Sequence, residues 1–532
     1  MEDSLKIVGE YGNFQNHIKL IIFSSAFLTD IYSLQIGLML KLPNIDIVEV
    51  DNIEYNNKLN NITSLNILLS NLTNIEEKYC DENRYSLEIN NNTPLKNWNY
   101  NFLFFCKNEW KIFAIVISVI LGTIFGLLFF SPLPDRMGRE KIFKYSIIIN
   151  CFLHLNLLFC LNSFHLILIN FCGGLNSFIY AISFICITEY LPEESNGFNI
   201  GIFNAMGPIY VFILYIFLNF FNNWRIMFFC TSIFHIFLAC YTWKYFLESP
   251  RWLFSIGQKI KCISVLDKIS LYNGNLAKWN EYQKINIENA NRFGRASTNF
   301  TKLFNFELET GENDQDRQGI TIYDIFNFKS QTKTIIILGI ICFMSNFNIS
   351  GIILILFKKK NNFINSLMTF YFFKMLVGII NGYFCDKIGR KPFIMYGGLL
   401  GSIGIFIYIE SDSELILMLS FFCFQSVNIV LLIYIPENIP TPIRSSLCGW
   451  LYLLYKICPL ILEYSYGYFN QKIFIYCIIV SGLIGGSCVI FMDETLGKDI
   501  PDIIPELKDK IEKLENYNLK SFNSTEYPSF LE

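Results

Sequence analysis

Long apolar runs, rather than short alternations, dominate the pattern along this chain. A helix needs ~20 apolar residues to cross ~30 Å of hydrocarbon. Runs of about that length fall at 18–40, 112–131, 145–161, 165–190, 199–221, 226–246, 334–357, 363–384, 393–410, 414–436, 445–466 and 473–492. They are too long, and alternate too little, to be strands of a membrane barrel. Six runs precede a polar stretch at 247–333 and six follow it. The pattern predicts an all-α membrane protein of twelve transmembrane helices in two six-helix bundles. The partition is an N-terminal segment 1–17, a first bundle 18–246, a linker 247–333, a second bundle 334–492 and a tail 493–532.

The polar positions add an internal repeat. Asp135-Arg136-Met137-Gly138-Arg139 follows the second run of the first half, and Asp386-Lys387-Ile388-Gly389-Arg390-Lys391 follows the second run of the second half. Two related bundles are the simplest source of such a repeat. Basic residues concentrate in these loops: Arg136, Arg139, Lys141 and Lys144, then Lys387, Arg390 and Lys391, with Arg444 between runs ten and eleven. The positive-inside rule places that side, both termini and the 247–333 linker in the cytoplasm. Lys358, Lys359 and Lys360 disagree, because they fall outside. The loop at 43–110 also lands outside, and carries glycosylation patterns at Asn61, Asn71 and Asn91. Cys80 and Cys106 share that loop, where an oxidising exterior permits a disulfide; two free thiols are the alternative.

Composition narrows the class. Of 532 residues, 52% are hydrophobic and only 16% charged, against about a quarter in soluble domains. Mean hydropathy of +0.37 excludes a disordered chain. A net charge of −3 gives no reason to expect nucleic-acid binding. Most of the 16 cysteines lie inside apolar runs and read as small hydrophobes. No zinc-type Cys/His spacing and no Walker loop is present, so no metal, cofactor or ATP hydrolysis is expected, and the chain reads as no enzyme. The polar start, Met1 to Asn16, predicts no cleavable signal peptide, leaving the first apolar run to target the membrane.

In each charged loop, Gly permits a tight turn between antiparallel helices, Asp is placed to cap the amides of the following helix, and Arg can reach carboxylates or helix C-termini of the other bundle. Such pairs would close a cytoplasmic gate and break on opening. The pattern resembles the signature loop of the major facilitator superfamily. Gly382 to Lys391 matches throughout, whereas Ser131 and Glu140 depart from it in the first copy. Further segments resemble the organic cation/anion/carnitine transporters of that superfamily. They are Val8-Gly9-Glu10-Tyr11-Gly12-Asn13-Phe14-Gln15, Cys106-Lys107-Asn108-Glu109-Trp110, Glu248-Ser249-Pro250-Arg251-Trp252-Leu253, Glu437 to Arg444, and Glu494 to Asp502. The resemblance implies the major facilitator fold and a cytoplasmic gate of Asp135, Arg136, Gly138, Arg139, Glu189, Glu248, Arg251, Gly382, Asp386, Gly389, Arg390, Glu437 and Arg444. Asn196 stands where the resemblance calls for Arg, so part of that pairing is expected to be rearranged.

Ionisable residues inside apolar runs are the substrate-site candidates, because burying charge in lipid is costly. They are Asp30, Lys374, Lys456 and Glu463. Lys456 stands twelve residues after Arg444, where the resemblance implies a substrate-binding charge and a basic residue favours anions. Pairing with Glu463, two turns or ~10 Å along the helix, is the alternative. His17, His154, His165 and His235 are scattered in the sequence and read as packing or interfacial residues. Gly397/Gly401 and Gly482/Gly486 read as helix-packing pairs.

The expected function is secondary transport of small organic ions across the plasma membrane by alternating access, with an anion favoured. An organic cation or carnitine transporter, a sugar or other neutral-solute porter, and a transport-incompetent sensor are the alternatives. The partners are the substrate and the bilayer, with the coupling ion open.

Overall fold

The computed structural model describes residues 2–39, 45–49, 85–89, 97–102, 104, 110–221, 223–293, 329–359, 363–466, 471–498 and 500–502. Asn61, Asn71, Asn91, Cys80, Cys106 and Lys360 lie outside the described residues, as does the tail beyond Asp502. The side chains of Asp30, Lys358, Lys359 and Glu463 lie outside them too, although their backbone is helical.

The long helices of the first half are α1 (Asn13–Met39), α2 (Trp110–Phe129), α3 (Arg139–Leu158), α4 (Ser163–Tyr190), α5 (Asn196–Phe221) and α6 (Trp224–Tyr245). Those of the second are α7 (Lys329–Lys359), α8 (Phe363–Ile388), α9 (Arg390–Ser411), α10 (Glu414–Asn438), α11 (Arg444–Tyr466) and α12 (Gln471–Cys488). Among the described residues, 9 helices are long and apolar enough to cross a membrane. α3 and α11 are as long but bury polar groups along their length, among them Ser146, Asn150 and His154 in α3 and Ser445 and Ser446 in α11. In the loop after α1, strands β1 (Ile45–Glu49) and β2 (Tyr85–Ile89) pair antiparallel, Ile45 opposite Ile89.

Three apolar clusters fill the interior. The largest joins both halves, from Ile179, Phe184 and Ile200 to Val430, Leu447 and Leu451. A second belongs mainly to the first half around Trp98, Leu157, Tyr210 and Trp224. A third belongs to the second half around Ile352, Phe421 and Ile478.

Across the two halves α5 packs on α8, and α11 on α2. A Cβ on Gly201 would lie 2.4 Å from the Gly378 carbonyl, so these two backbones touch. At the α2–α11 crossing one of the two facing glycines is kept. Ser131 occupies the leading position of its loop, and Gly449 of α11 makes room, since a Cβ there would meet Ser131 Cβ at 2.2 Å. Close packing therefore survives the replacement of Gly by Ser.

The polar linker begins with three helices, Pro250–Ser255, Lys259–Tyr272 and Leu276–Phe293. Asn273 ties them to the N-terminal segment. Its Nδ2 donates to the Val8 and Gly9 carbonyls and to Gln15, and its Oδ1 accepts the Phe14 N–H. Those are residues of the Val-Gly-Glu-Tyr-Gly-Asn-Phe-Gln segment, which therefore acts as a docking segment for the linker.

Candidate functional site

The two charged loops sit at one end of the bundles and build the same arrangement twice. Gly138 and Gly389 have φ of +102° and +110°, a region that favours glycine. Each turn starts a helix whose first amides are capped from far away in sequence. The Arg139 N–H donates to Glu248 Oε1 at 2.8 Å, and the Glu140 N–H to the same carboxylate at 3.2 Å. In the second half the Arg390 and Lys391 N–H groups donate to Glu494, each at 2.9 Å. The expectation that Asp135 and Asp386 cap these helices is thus corrected: the caps are Glu248 and Glu494.

The two aspartates instead cap helices of the opposite bundle. Asp135 accepts the Ser445 and Ser446 N–H groups at the start of α11, at 3.1 and 2.8 Å, and the Ser446 hydroxyl at 2.6 Å. Asp386 accepts the Gly197 and Phe198 N–H groups at the start of α5, at 2.9 and 2.8 Å. A carboxylate there meets both unsatisfied amides and the positive end of the helix dipole.

The signature arginines turn inward. Arg139 lies 3.1 Å from Asp135 and 3.3 Å from Glu189. Arg390 lies 3.2 Å from Asp386 and 3.0 Å from Glu437. These ion pairs are within a bundle, so of the expected partners in the other bundle, carboxylates or helix C-termini, the carboxylates are not the ones met. Arg139 crosses only through a hydrogen bond to the Thr441 carbonyl, at 2.8 Å. The ion pair that joins the bundles is Arg444 with Glu189, at 3.0 Å, both fully buried.

The repeat breaks here. Glu189 serves two arginines, while Glu437 is held by Arg390 and the Thr495 hydroxyl. Asn196, at the position equivalent to Arg444, is fully buried with neither side-chain atom hydrogen-bonded. Beneath lies the start of the tail. The Pro501 carbonyl accepts from the Thr441 N–H at 3.1 Å and from Arg444 at 3.4 Å. Arg251 bridges Glu193 at 2.8 Å and Asp502 at 3.6 Å. Arg136 and Lys387 remain at the rim, and Lys387 Nζ lies over the Tyr383 ring at 4.2 Å.

Of the other candidate charges, Lys374 and Lys456 lie midway along their helices, whereas Glu463 falls in the last turn of α11. Lys456 sits on α11 with its Nζ 5.3 Å from the Tyr452 ring centroid and 5.6 Å from that of Tyr455, within cation–π range. Tyr452 stacks on Tyr455 at 5.2 Å and on Tyr180 of α4 at 5.1 Å. The Tyr180 hydroxyl donates to Asn204 at 2.8 Å, and Asn428 donates to the Tyr455 hydroxyl at 3.0 Å. Asn346 donates to the Tyr455 carbonyl. Lys374 is half-buried on α8, one turn from Gly378. His154 and His235, far apart in sequence, meet with ring centroids 4.2 Å apart between α3 and α6. Among the described residues no group of His, Cys, Asp and Glu forms a metal site.

A family model described as the Major Facilitator Superfamily matches residues 109–279, which hold the first charged loop and the Glu189 and Glu248 segments. Over these residues the chain is similar to the major facilitator superfamily. The chain is 23% identical over 447 residues to solute carrier family 22 member 2 of Pongo abelii, covering 78% of this chain and 72% of the relative. Organic cation/carnitine transporter 4 of Arabidopsis thaliana is 20% identical, covering 75% of this chain and 74% of the relative. These relatives are transporters, not enzymes. In fold, the chain is similar to the proton:xylose symporter XylE, with a TM-score of 0.56 at 14% identity over 91% of this chain and 97% of the symporter. It is also similar to the human organic anion transporter MFSD10, with a TM-score of 0.51 at 9% identity over 91% of this chain and 98% of that one. The chain is therefore similar to membrane transporters of this superfamily, and its long apolar helices imply a multi-pass membrane protein.

Several residues of the charged end escaped sequence reasoning. Ser445, Ser446 and Glu193 carry no pattern of their own, and Glu494, Thr495 and Asp502 stand in the Glu494 to Asp502 segment but are not among the expected gate residues. For Glu494 alone a signal of its role existed, because it stands after α12 as Glu248 stands after α6.

Proposed function

We propose that this transporter moves small organic anions across the plasma membrane by alternating access, with the charged end and both termini in the cytoplasm. The observation that carries the reading is the place of Lys456: a cation midway along α11, about 18 Å from Arg444 at 1.5 Å per residue, held on two aromatic faces. A substrate carboxylate or other anionic group would pair with it in surroundings of low dielectric. The basic rim of Arg136, Lys141, Lys144, Lys387 and Lys391 supports the orientation.

In this reading the structure is the form closed toward the cytoplasm. The Asp135 and Asp386 caps, the Arg444–Glu189 pair and the Pro501 contacts all hold the bundles together at that end. Rocking open must break them and hydrate their charges. Substrate charge would also feel the membrane potential, ~2.3 kcal/mol per charge per 100 mV.

An organic cation or carnitine is the second reading. The ring faces of Tyr180, Tyr452 and Tyr455 and the names of the relatives favour it. Uptake by oocytes expressing the full chain, with labelled organic anions, organic cations, carnitine and hexoses, separates the readings. Accumulation of an anion above uninjected oocytes is expected. Accumulation of cations or hexoses alone would contradict it, and no accumulation with normal surface expression would favour a sensor.

A further inference from the structure

The layer beneath Lys456 repeats in the two halves with its residue types exchanged. Tyr180 stands nine residues before Glu189, and Asn428 nine before Glu437. Asn204 stands eight residues after Asn196, and Tyr452 eight after Arg444. Each half therefore contributes one Tyr and one Asn at one level, Tyr and then Asn in the first half, Asn and then Tyr in the second. The exchange lets the two tyrosines meet. Tyr180 and Tyr452 stack across the boundary between bundles, at 5.1 Å and 26°. Tyr452 continues the stack onto Tyr455 at 5.2 Å and 11°.

The surrounding bonds fix the stack from both sides. Asn204 holds the Tyr180 hydroxyl, and Asn428 holds that of Tyr455. The Lys456 ammonium lies against the faces of Tyr452 and Tyr455. The position equivalent to Lys456 in the first half is Pro208, inside α5, so only the second half supplies a charge here.

We infer that Tyr452 is a positioning residue for the substrate-binding charge, clamped by Tyr180 of the opposite bundle so that its ring presents the Lys456 ammonium to the substrate. This inference rests on the proposal that Lys456 meets the substrate. It adds a coupling between charge placement and transporter state. With the cytoplasmic end closed, Tyr180 completes the clamp and Lys456 is held ready. When the bundles part at that end, α4 carries Tyr180 away, Tyr452 keeps only Tyr455 of its own helix as a stacking partner, and the ammonium is held less firmly. The site then holds an anion less tightly on the side where release occurs.

A test exists that does not require the substrate. Lysines of the purified full-length transporter are reductively methylated with ¹³C-formaldehyde and followed by NMR. The signal absent from Lys456→Arg identifies Lys456. An ammonium over ring faces is shifted upfield by ring currents, so this signal is expected upfield of the other lysine signals. It should stay there in Tyr452→Phe, which keeps the ring, and move to the common position in Tyr452→Leu. Tyr180→Leu, on the other bundle, should move it the same way, which guards against misfolding of one variant. A Lys456 signal among the other lysines, one that resists methylation, or one unmoved by both Leu variants would overturn the inference. For whichever labelled solute the wild type accumulates, Tyr452→Leu should raise KM roughly two- to tenfold with kcat retained, and Tyr452→Phe should restore it. Failure of the parent reading looks different: uptake would survive Lys456→Ala while the upfield signal remained.

Discussion

Glu248 and Glu494 occupy equivalent places yet titrate in opposite directions. Burial pushes the Glu494 carboxyl up, but the N–H groups of Arg390, Leu496, Lys391 and Thr495 outweigh it and leave it below its ordinary value. Its contribution to stability is present above the unfolded carboxylate range and fades as pH falls through the folded value. At Glu248 burial outweighs the N–H groups of Ser249, Glu140 and Arg139 and the charge of Arg139, and the carboxyl stays raised. Its contribution is complete below the unfolded range and is lost as pH rises through the folded value. At pH 7, Glu494→Gln should therefore lower the melting temperature in detergent more than Glu248→Gln. Lowering the pH towards ~4 should narrow the difference. Equal losses at both pH values would contradict this ordering.

At the scale of elements, the crossings of α5 with α8 and of α2 with α11 are the hinge of the argument. Each is closed by an Asp of one bundle on a helix start of the other, but only the second also has a cross-bundle ion pair. Glu189 is fully buried between Arg139 and Arg444, and removing one partner of such a pair costs about 3–5 kcal/mol. At the other crossing Asn196 leaves Glu437 to its own bundle. Asn196→Arg should supply the missing pair with Glu437, raise the melting temperature and slow turnover. Adding Glu437→Gln should abolish the gain. A single variant with unchanged turnover and stability would show that the two crossings are not equivalent.

Much of this was legible in the chain. Apolar runs mark the helices because lipid forbids unsatisfied backbone, and paired glycines with paired charges reveal the duplication. Which bundle an Asp or Arg addresses was not legible. Asp135 and Arg139 are four residues apart on one turn, and only the packing of α11 against α2 shows that one caps across and the other pairs within. That Gly449 faces Ser131 was hidden for the same reason: it lies more than 300 residues away.

For the whole molecule, the account links a charged end that holds two bundles together to a cation placed midway between that end and the opposite one. The tail enters this latch, since Pro501 and Asp502 contact Thr441, Arg444 and Arg251. Opening the charged end therefore means moving the tail as well as parting α2 from α11 and α5 from α8. The apolar clusters among the described residues fit such motion: two belong mainly to one half each, and the largest, near the charged end, spans the boundary.

The most direct measurement compares uptake by wild type and Lys456→Ala at matched surface expression, using the solute that wild-type oocytes accumulate. The account predicts an anionic solute whose uptake is abolished in Lys456→Ala and partly kept in Lys456→Arg. Undiminished uptake of that solute by Lys456→Ala would contradict it.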